Sequence, residues 1–543
     1  MTDYEILKSA VSDLPELNQP IYQHSELSDI SSQHFENVLN YIHQIHDALK
    51  TKLNRPLKIL DLGCSQGFIS LNMASWQGLK TMGGGDIDKG YVCSIDSLDK
   101  NIHVCKLLAE EHLDYKINFF QLRVEDAIIN LQAGYYDILI GLNIFQNLFK
   151  QYGLEPTKYL IKILSAKVPI CIFEPALKSE PFNWAASLPE DYREMFNAFD
   201  CVKLLAYNDT NISNVKRPLI FASNKYIYFK SLGLLEINKA LRKPNDYLPE
   251  DINKRYFFCD DKFVKFYSKK IGDAEAVFTN AVEFLKNMDG KHGFPKFIEF
   301  ENNSDELWIV RQNIEGRTLT SVINNNEPYD AWDIIKQTLN WLIILEQHGY
   351  YHCDLFPNLS NLVLDLNGKV HLIDYCSIVN EKKKKKFFIK SIIIQIFIFM
   401  YEILERKDIL TNSYDPDPNK FGGYMQIVHV LKKYISEKKY LKLLNAKKFT
   451  HFYEVLFSND ENEEPEYKLL EQEIEFLEKY QSIKIQRLDD ILVSNFDLAN
   501  GNAKIIHDSL MFLYNTTVKQ QKRIEELENR LNKIESRSIS NVE

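Results

Sequence analysis

Nowhere in the 543 residues do two cysteines fall with CxxC spacing. The eight present are scattered singly, which gives no zinc signature and suits a reducing compartment. A basic excess is also missing. The formal net charge of -10 argues against a nucleic-acid partner, because phosphate contacts need a basic face. Nor is there an apolar run of bilayer length. The stretch SIIIQIFIFMYEIL, residues 391–404, carries Gln395 and Glu402 and falls short of a spanning helix. It reads as a buried helix of a second domain. A membrane-contacting helix, with Lys382–Lys386 drawn to anionic lipid, is the alternative. The opening MTDYEILKSAVSDLPEL has neither the basic region nor the apolar core of a signal peptide.

What is there exceeds one hydrophobic core, so two or three domains are expected. A helical pattern over 31–55 leads into a strand at 58–60. Strand YVCSID, 91–96, is followed by helical NIHVCKLLAEEH, 101–112. INFFQL, VEDAI, YYDILIGLN and VPICIFE continue the alternation that predicts an open α/β sheet. Residues 199–230 read as two strands, FDCVKLLAYN and LIFASNKYIYF, closing a first domain at 1–235. LRKPNDYLPEDINK, 241–254, is a proline-bearing junction. A second domain is expected over 236–455, a helical region over 456–509 and a coiled coil over 510–537.

The first chemical signal is LKILDLGCSQGF, residues 57–68. Asp61, Gly63, Ser65 and Gly67 follow a strand, where glycines let the backbone turn tightly against a bound nucleoside. Asp96 ends a second strand and is placed to accept hydrogen bonds from ribose hydroxyls; Asp86, in GGGDIDKG, competes for that role. The three-glycine dinucleotide fingerprint is absent. DLGCSQG instead resembles motif one of class I S-adenosylmethionine-dependent methyltransferases. That resemblance implies that Asp61 orients the turn and the methionine end, and that Asp126 lies near adenine. Arg193, Lys216 and Arg217 are candidates for holding an acidic acceptor.

The second signal is YHCDLFPNLSNLVLDLNGKVHLIDY, residues 351–375. Asp354 is spaced to orient a hydroxyl nucleophile and accept its proton, and Asp374 to hold magnesium against nucleotide phosphates. Asn361 is preferred over Asn358 as the amide ligand, because it keeps the NLVLDxxG run into Asp374. Upstream, Lys265 lies in the apolar strand FVKFY, where a phosphate partner would explain its position. ELWIVRQNIEG resembles the hinge of aminoglycoside- and choline-kinase-like folds. Residues 253–262 contain no glycine-rich loop, and Cys376 stands where a glycine is usual. A weak or inactive kinase therefore stays open.

In the tail, Leu510, Leu513, Thr517, Gln520, Ile524, Leu527, Leu531 and Ile534 alternate spacings of three and four. That periodicity predicts one a/d seam and self-association.

The order of these motifs is more specific than any one of them. The chain resembles the bifunctional methyltransferase/kinase O-antigen chain terminators of the WbdD type. The likeness runs from LNQPIYQHSELS, 18–29, through DLGCSQGF, NIHVCKLLAEE and EPALKSEPFNWAASLPEDYR to KRPLIFASN, KRYFFCDDKFVKF and HLIDYCSIV. The fold it implies is a class I α/β methyltransferase domain, a two-lobed α+β kinase-like domain and a helical, coiled-coil tail. The activity it implies is phosphorylation, then methylation, of the terminal sugar of a lipid-linked polysaccharide. S-adenosylmethionine would be held by Asp61, Gly63, Gly67 and Asp96, with ATP, acceptor and magnesium served by Lys265, Asp354 and Asp374. Further implications are a trimeric coiled coil, a polysaccharide polymerase as partner, and a place in the bacterial cytoplasm at the inner membrane. Gln146 and Asn147 replace a histidine pair of that family, and Ala281 takes the place of its helix glutamate.

Overall fold

The computed structural model describes residues 2–14, 32–77, 90–110, 116–210, 214–242, 255–270, 274–352, 359–375, 378–380, 389–406, 424–446, 448–458 and 524–533, with a few isolated helical positions beyond these. The chain divides into two compact units. One comprises 1–275 with 298–313, the other 276–297 with 314–543.

The first unit is organised by seven strands, β1 (Lys58–Leu62), β2 (Tyr91–Asp96), β3 (Ile117–Gln121), β4 (Ile138–Leu142), β5 (Ile170–Glu174), β6 (Cys201–Asn208) and β7 (Arg217–Ser223). Their order is β3-β2-β1-β4-β5-β7-β6. The first five run parallel; β7 joins β5 and β6 antiparallel, with a bulge between Leu204 and Ala206. Central strands are apolar on both faces, as a sheet covered on both sides demands. Ile59, Ile138, Ile170 and Leu219 enter one core layer, and Leu60, Leu139, Cys171 and Ile220 the other. This is the class I methyltransferase sheet.

The helices of this unit are α1 (Asp3–Ser12), α2 (Ser32–Leu53), α3 (Phe68–Trp76), α4 (Asp99–Glu110), α5 (Val124–Asn130), α6 (Phe145–Tyr152) and α7 (Leu154–Lys167). Capping fixes where α1 starts. The Thr2 hydroxyl accepts from the Glu5 amide at 3.3 Å while Glu5 Oε2 accepts from the Thr2 amide at 2.8 Å. In α2, Val38, Ile42, Ile45 and Leu49 recur on one face and are fully buried.

The sequence expectation of one long strand at LIFASNKYIYF is corrected. The run breaks at Asn224–Lys225, where Ser223 Oγ accepts from the amides of Lys225 and Tyr226. The chain then leaves the sheet as β8 (Tyr226–Phe229), which pairs with β9 (Gly233–Glu236). β10 (Lys239–Leu241), β11 (Tyr256–Cys259), β12 (Lys262–Ser268), β13 (Phe297–Asn302) and β14 (Glu306–Gln312) build a five-stranded sheet in the order β10-β11-β12-β14-β13. Its Phe257, Val264, Phe266 and Trp308 share a continuous core with Ile59 and Ile170 through the β8–β9 hairpin. The packing thus continues through residue 235. Most of the 241–254 junction lies outside the described residues.

The second unit is mainly helical. After α8 (Ala274–Met288), which begins at its border, come α9 (Leu319–Asn324), α10 (Ala331–Gln347), α11 (Ile389–Glu405), α12 (Tyr424–Leu431), α13 (Glu437–Leu444) and α14 (Phe449–Phe457). Short strands β15 (Arg317–Thr318), β17 (Leu362–Leu364) and β18 (Val370–Leu372) form one small sheet. A second pairs β16 (Tyr350–His352) with β19 (Ile378–Asn380). The apolar run of 391–404 is α11, with Ile396, Phe397, Met400 and even Glu402 fully buried. Among the described residues no helix is long and apolar enough to cross a membrane. Lys382–Lys386 lie outside them.

Part of the tail is described. Residues 524–533 are helical, but Ile524 and Leu527 are buried within their own chain and Arg530 NH1 lies 3.2 Å from Glu437 Oε1 of α13. Leu510, Leu513, Thr517, Gln520 and Ile534 lie outside the described residues.

Candidate functional site

The turn after β1 is held from the neighbouring strand. The amides of Gly63 and Cys64 both donate to Ile95 O, at 2.8 and 2.9 Å. The Ser65 amide donates to Asp96 Oδ2 at 3.0 Å, while Asp96 Oδ1 takes the Leu98 amide at 2.8 Å. Gly63 has φ +73° and Gly67 φ +82°, and a Cβ on Gly63 would come 2.6 Å from Ile144 Cδ1. The left-handed backbone favours glycine there, and any side chain would also have to push the Ile144 side chain aside. Asp61 is buried, and its Oδ2 accepts from Ser70 Oγ at 2.5 Å. Burial pushes its carboxyl up to about 7; the Ser70 hydrogen bond opposes this and the Asp96 charge adds to it.

Asp61, Gly63, Gly67 and Asp96 are therefore brought together at the carboxyl edge of adjacent parallel strands, where α/β sheets bind their ligands. The residues fit an S-adenosylmethionine site: two buried carboxylates flank a turn too close for side chains. Asp126 stands exposed in the first turn of α5. Asp86 lies outside the described residues.

The rim on the other side of this turn was not foreseen. Glu174, ending β5, is 1% exposed. It accepts from Asn208 Nδ2 at 2.9 Å, and its Oε2 lies 3.3 Å from His34 Nε2. Arg217 is buried and donates through Nε and NH2 to Glu180 at 2.7 and 2.5 Å, and through NH1 to Asn143 Oδ1 at 2.5 Å. Arg193 is likewise buried, its NH2 2.9 Å from Glu306 Oε1. Two of the three cations read as acceptor ligands thus serve internal carboxylates. Lys216 is exposed, 3.2 Å from Asp209. His34 gave no signal in the sequence, since the first turn of an amphipathic helix does not reveal which strand end it meets.

In the five-stranded sheet, Lys265 is 8% exposed on β12. Its Nζ lies 5.5 Å from the ring centre of Tyr256 and 5.1 Å from that of Tyr267, a cation between aromatic faces. Ala281 is buried in α8.

In the second unit, His352 Nε2 lies 2.6 Å from the backbone oxygen of Asp374. Burial lowers the His352 pKa, which favours the neutral ring. Asn361 is buried, and its backbone oxygen accepts from the Ile373 amide at 3.0 Å. Asn361 and Asp374 are thereby fixed on one hairpin, and an amide and a carboxylate oxygen suit magnesium. Asp354, Asn358 and Cys376 lie outside the described residues.

A class I methyltransferase fold followed by a protein-kinase-like fold is the class of protein these units define. No protein-family model matches the chain. It is similar to the O-antigen chain terminator bifunctional methyltransferase/kinase WbdD of Escherichia coli, with 29% identity over 414 residues. That match covers 73% of this chain and 56% of the relative, so the chain spans little more than half of that protein's length. A solved structure of WbdD with its C-terminal bundle matches with TM-score 0.66 and 25% identity, covering 90% of this chain and 99% of that one. WbdD crystallised with the kinase inhibitor LY294002 matches with TM-score 0.63 and 26% identity, over 79% of this chain and 94% of that one.

Proposed function

We propose that the protein caps the non-reducing end of a lipid-linked bacterial polysaccharide. The kinase-like unit phosphorylates the terminal sugar from ATP, the methyltransferase unit methylates the same end from S-adenosylmethionine, and elongation stops. The observation that carries this reading is a structural likeness to WbdD that extends over 90% of the chain and so includes both transferase folds.

Asp61, Gly63, Gly67 and Asp96 hold the methyl donor, with Asp126 towards adenine. Lys265 serves the nucleotide phosphates, Asp354 orients the acceptor hydroxyl, and Asn361 with Asp374 holds magnesium. Work is divided as 1–235 for methyl transfer and 236–455 for phosphoryl transfer, with 456–509 a helical region and 510–537 a coiled coil. The tail assembles three copies and keeps them beside the polysaccharide polymerase at the cytoplasmic face of the inner membrane.

Incubating the purified protein with uncapped polysaccharide and labelled ATP, labelled S-adenosylmethionine, or both tests the reading. Transfer of both labels to the glycan is expected; transfer of neither sinks it. Methyl transfer without any magnesium-dependent phosphoryl transfer favours the second reading, a glycan methyltransferase on a kinase-like scaffold. Ala281 at the place of the helix glutamate is the observation on that side.

A further inference from the structure

We infer that the methyl acceptor meets the rim around Glu174 as a hydroxyl rather than as a phosphate, and that the His34–Glu174 pair receives its proton. This rests on the methyl-transfer reading above.

The rim adjoins the donor turn, since β4 lies beside β1 and Ile144 closes over Gly63. Its side chains form one connected cluster. The Asn143 amide donates to Glu174 O at 3.2 Å, and Gln146 Nε2 donates to Asn143 O at 2.6 Å. Asn208 Nδ2 faces Glu174 Oε1 at 2.9 Å. Both amide orientations are dictated by their partners, because a carbonyl and a carboxylate can only accept. The opposite ends, Asn208 Oδ1 and Gln146 Oε1, are buried and accept no hydrogen bond, and neither does Glu174 Oε2 beyond the 3.3 Å approach of His34. His34 thus faces Glu174 through Nε2, with the backbone carbonyl of Asp209 also beside its ring.

The vacant capacity is therefore one of acceptors. Buried acceptors need donors. A hydroxyl-bearing sugar brings them, whereas a phosphate dianion brings more acceptor oxygens and a charge of the same sign as Glu174 and Glu180. The cation that could offset that charge, Arg217, is already engaged on all three nitrogens.

In the transfer, the hydroxyl oxygen attacks the sulfonium methyl carbon. The O–C bond forms as the S–C bond breaks, and its electron pair returns to sulfur as a neutral thioether. The hydroxyl proton goes to the His34–Glu174 pair and from there to solvent. Burial alone would lower the His34 pKa, but Glu174 and the backbone carbonyl of Asp209 outweigh it and Arg217, leaving it above the ordinary value.

The test uses the intact protein, labelled S-adenosylmethionine and uncapped polysaccharide from a strain lacking the gene, before and after phosphorylation with ATP. Aqueous hydrofluoric acid then cleaves phosphate esters but leaves methyl ethers. The expected result is label that stays on the sugar through the acid. Label released with phosphate overturns the inference. His34→Asn should lower kcat at least tenfold with donor affinity unchanged, and isosteric Glu174→Gln should move the acidic limb of the pH profile downward. Unaltered profiles in both variants also overturn it. If calorimetry shows no S-adenosylmethionine binding to the unaltered protein, the methyl-transfer reading itself fails, and this falls with it.

Discussion

Arg193 and Glu306 stand 113 positions apart in the chain and 2.9 Å apart in the fold, both shut away from solvent. The same carboxylate accepts from the Leu204 amide and from Trp308 Nε1, each at 3.0 Å, and so ties β6 to β14. Removing one partner of a buried pair strands the other and costs about 3–5 kcal/mol. Glu306→Ala should lower the urea midpoint of the first unit accordingly, followed by tryptophan fluorescence. The double variant Arg193→Met with Glu306→Leu should regain much of the loss. Equal midpoints for Glu306→Ala and the unaltered protein would falsify this account.

Asp96 holds the turn after β1 through the Ser65 and Leu98 amides. Hydrogen bonds to a charged group contribute about 1.5–3 kcal/mol. Asp96→Asn should therefore weaken S-adenosylmethionine binding roughly ten- to a hundredfold. ATP binding should be unaffected. Calorimetry with each ligand checks both halves; an unchanged donor affinity moves the role to Asp86.

Asp61 gives a pH dependence with a definite sign. Its folded pKa of about 7 lies above the ordinary 3.8, so between those values the native protein holds a proton that the unfolded chain has lost. The stabilisation is complete below the unfolded value and fades as pH rises towards 7. Asp61→Asn should flatten that slope in thermal unfolding without ligand. Because the donor carries ammonium and sulfonium charges, its binding at pH 6 should expel the proton. Calorimetry in two buffers of different ionisation enthalpy would show this as a heat difference, and identical heats would contradict it.

Asp354 and Asp374 should separate in kinetics. Asp354→Asn should keep nucleotide affinity and lose turnover by a factor of about 100 or more, because general-base help contributes on that scale. Asp374→Asn should also weaken magnesium-dependent nucleotide binding. Titrating magnesium against a fluorescent ATP analogue checks the difference, and identical behaviour of the two variants would remove the division of roles.

The tail prediction turns on Leu531, which is only half-buried. Leu531→Asp should convert the proposed trimer to smaller species in light scattering while leaving both transfer activities within twofold. Ile524→Asp should in addition destabilise the fold, since Ile524 is buried in its own chain. A monomer at micromolar concentration in the unaltered protein ends the trimer reading.

The parallel sheet and the glycine turn after β1 were legible in the residues. Strand, turn and helix at 57–76 are set by neighbours a few positions apart, and the glycines of DLGCSQG need left-handed backbone whatever the rest of the chain does. The burial of α11 was legible too, because its apolar run is too short and too charged for a bilayer. The fate of Arg193 and Arg217 was not. A cation in a sequence reads as surface charge or ligand contact, and only the fold brings Glu306 and Glu180 against these two.

The sequence by itself determined two transferase signatures in order, with the glycines and aspartates that mark each. These follow from local backbone preference and from strand and helix periodicity. Tertiary structure alone decided that the sheet bearing Lys265 shares a core with the methyltransferase sheet, and that His34 meets Glu174. Both depend on which surfaces exclude water from one another across long stretches of chain. Burial gives a charged pair its strength and its selectivity, and a pattern of residues does not carry it.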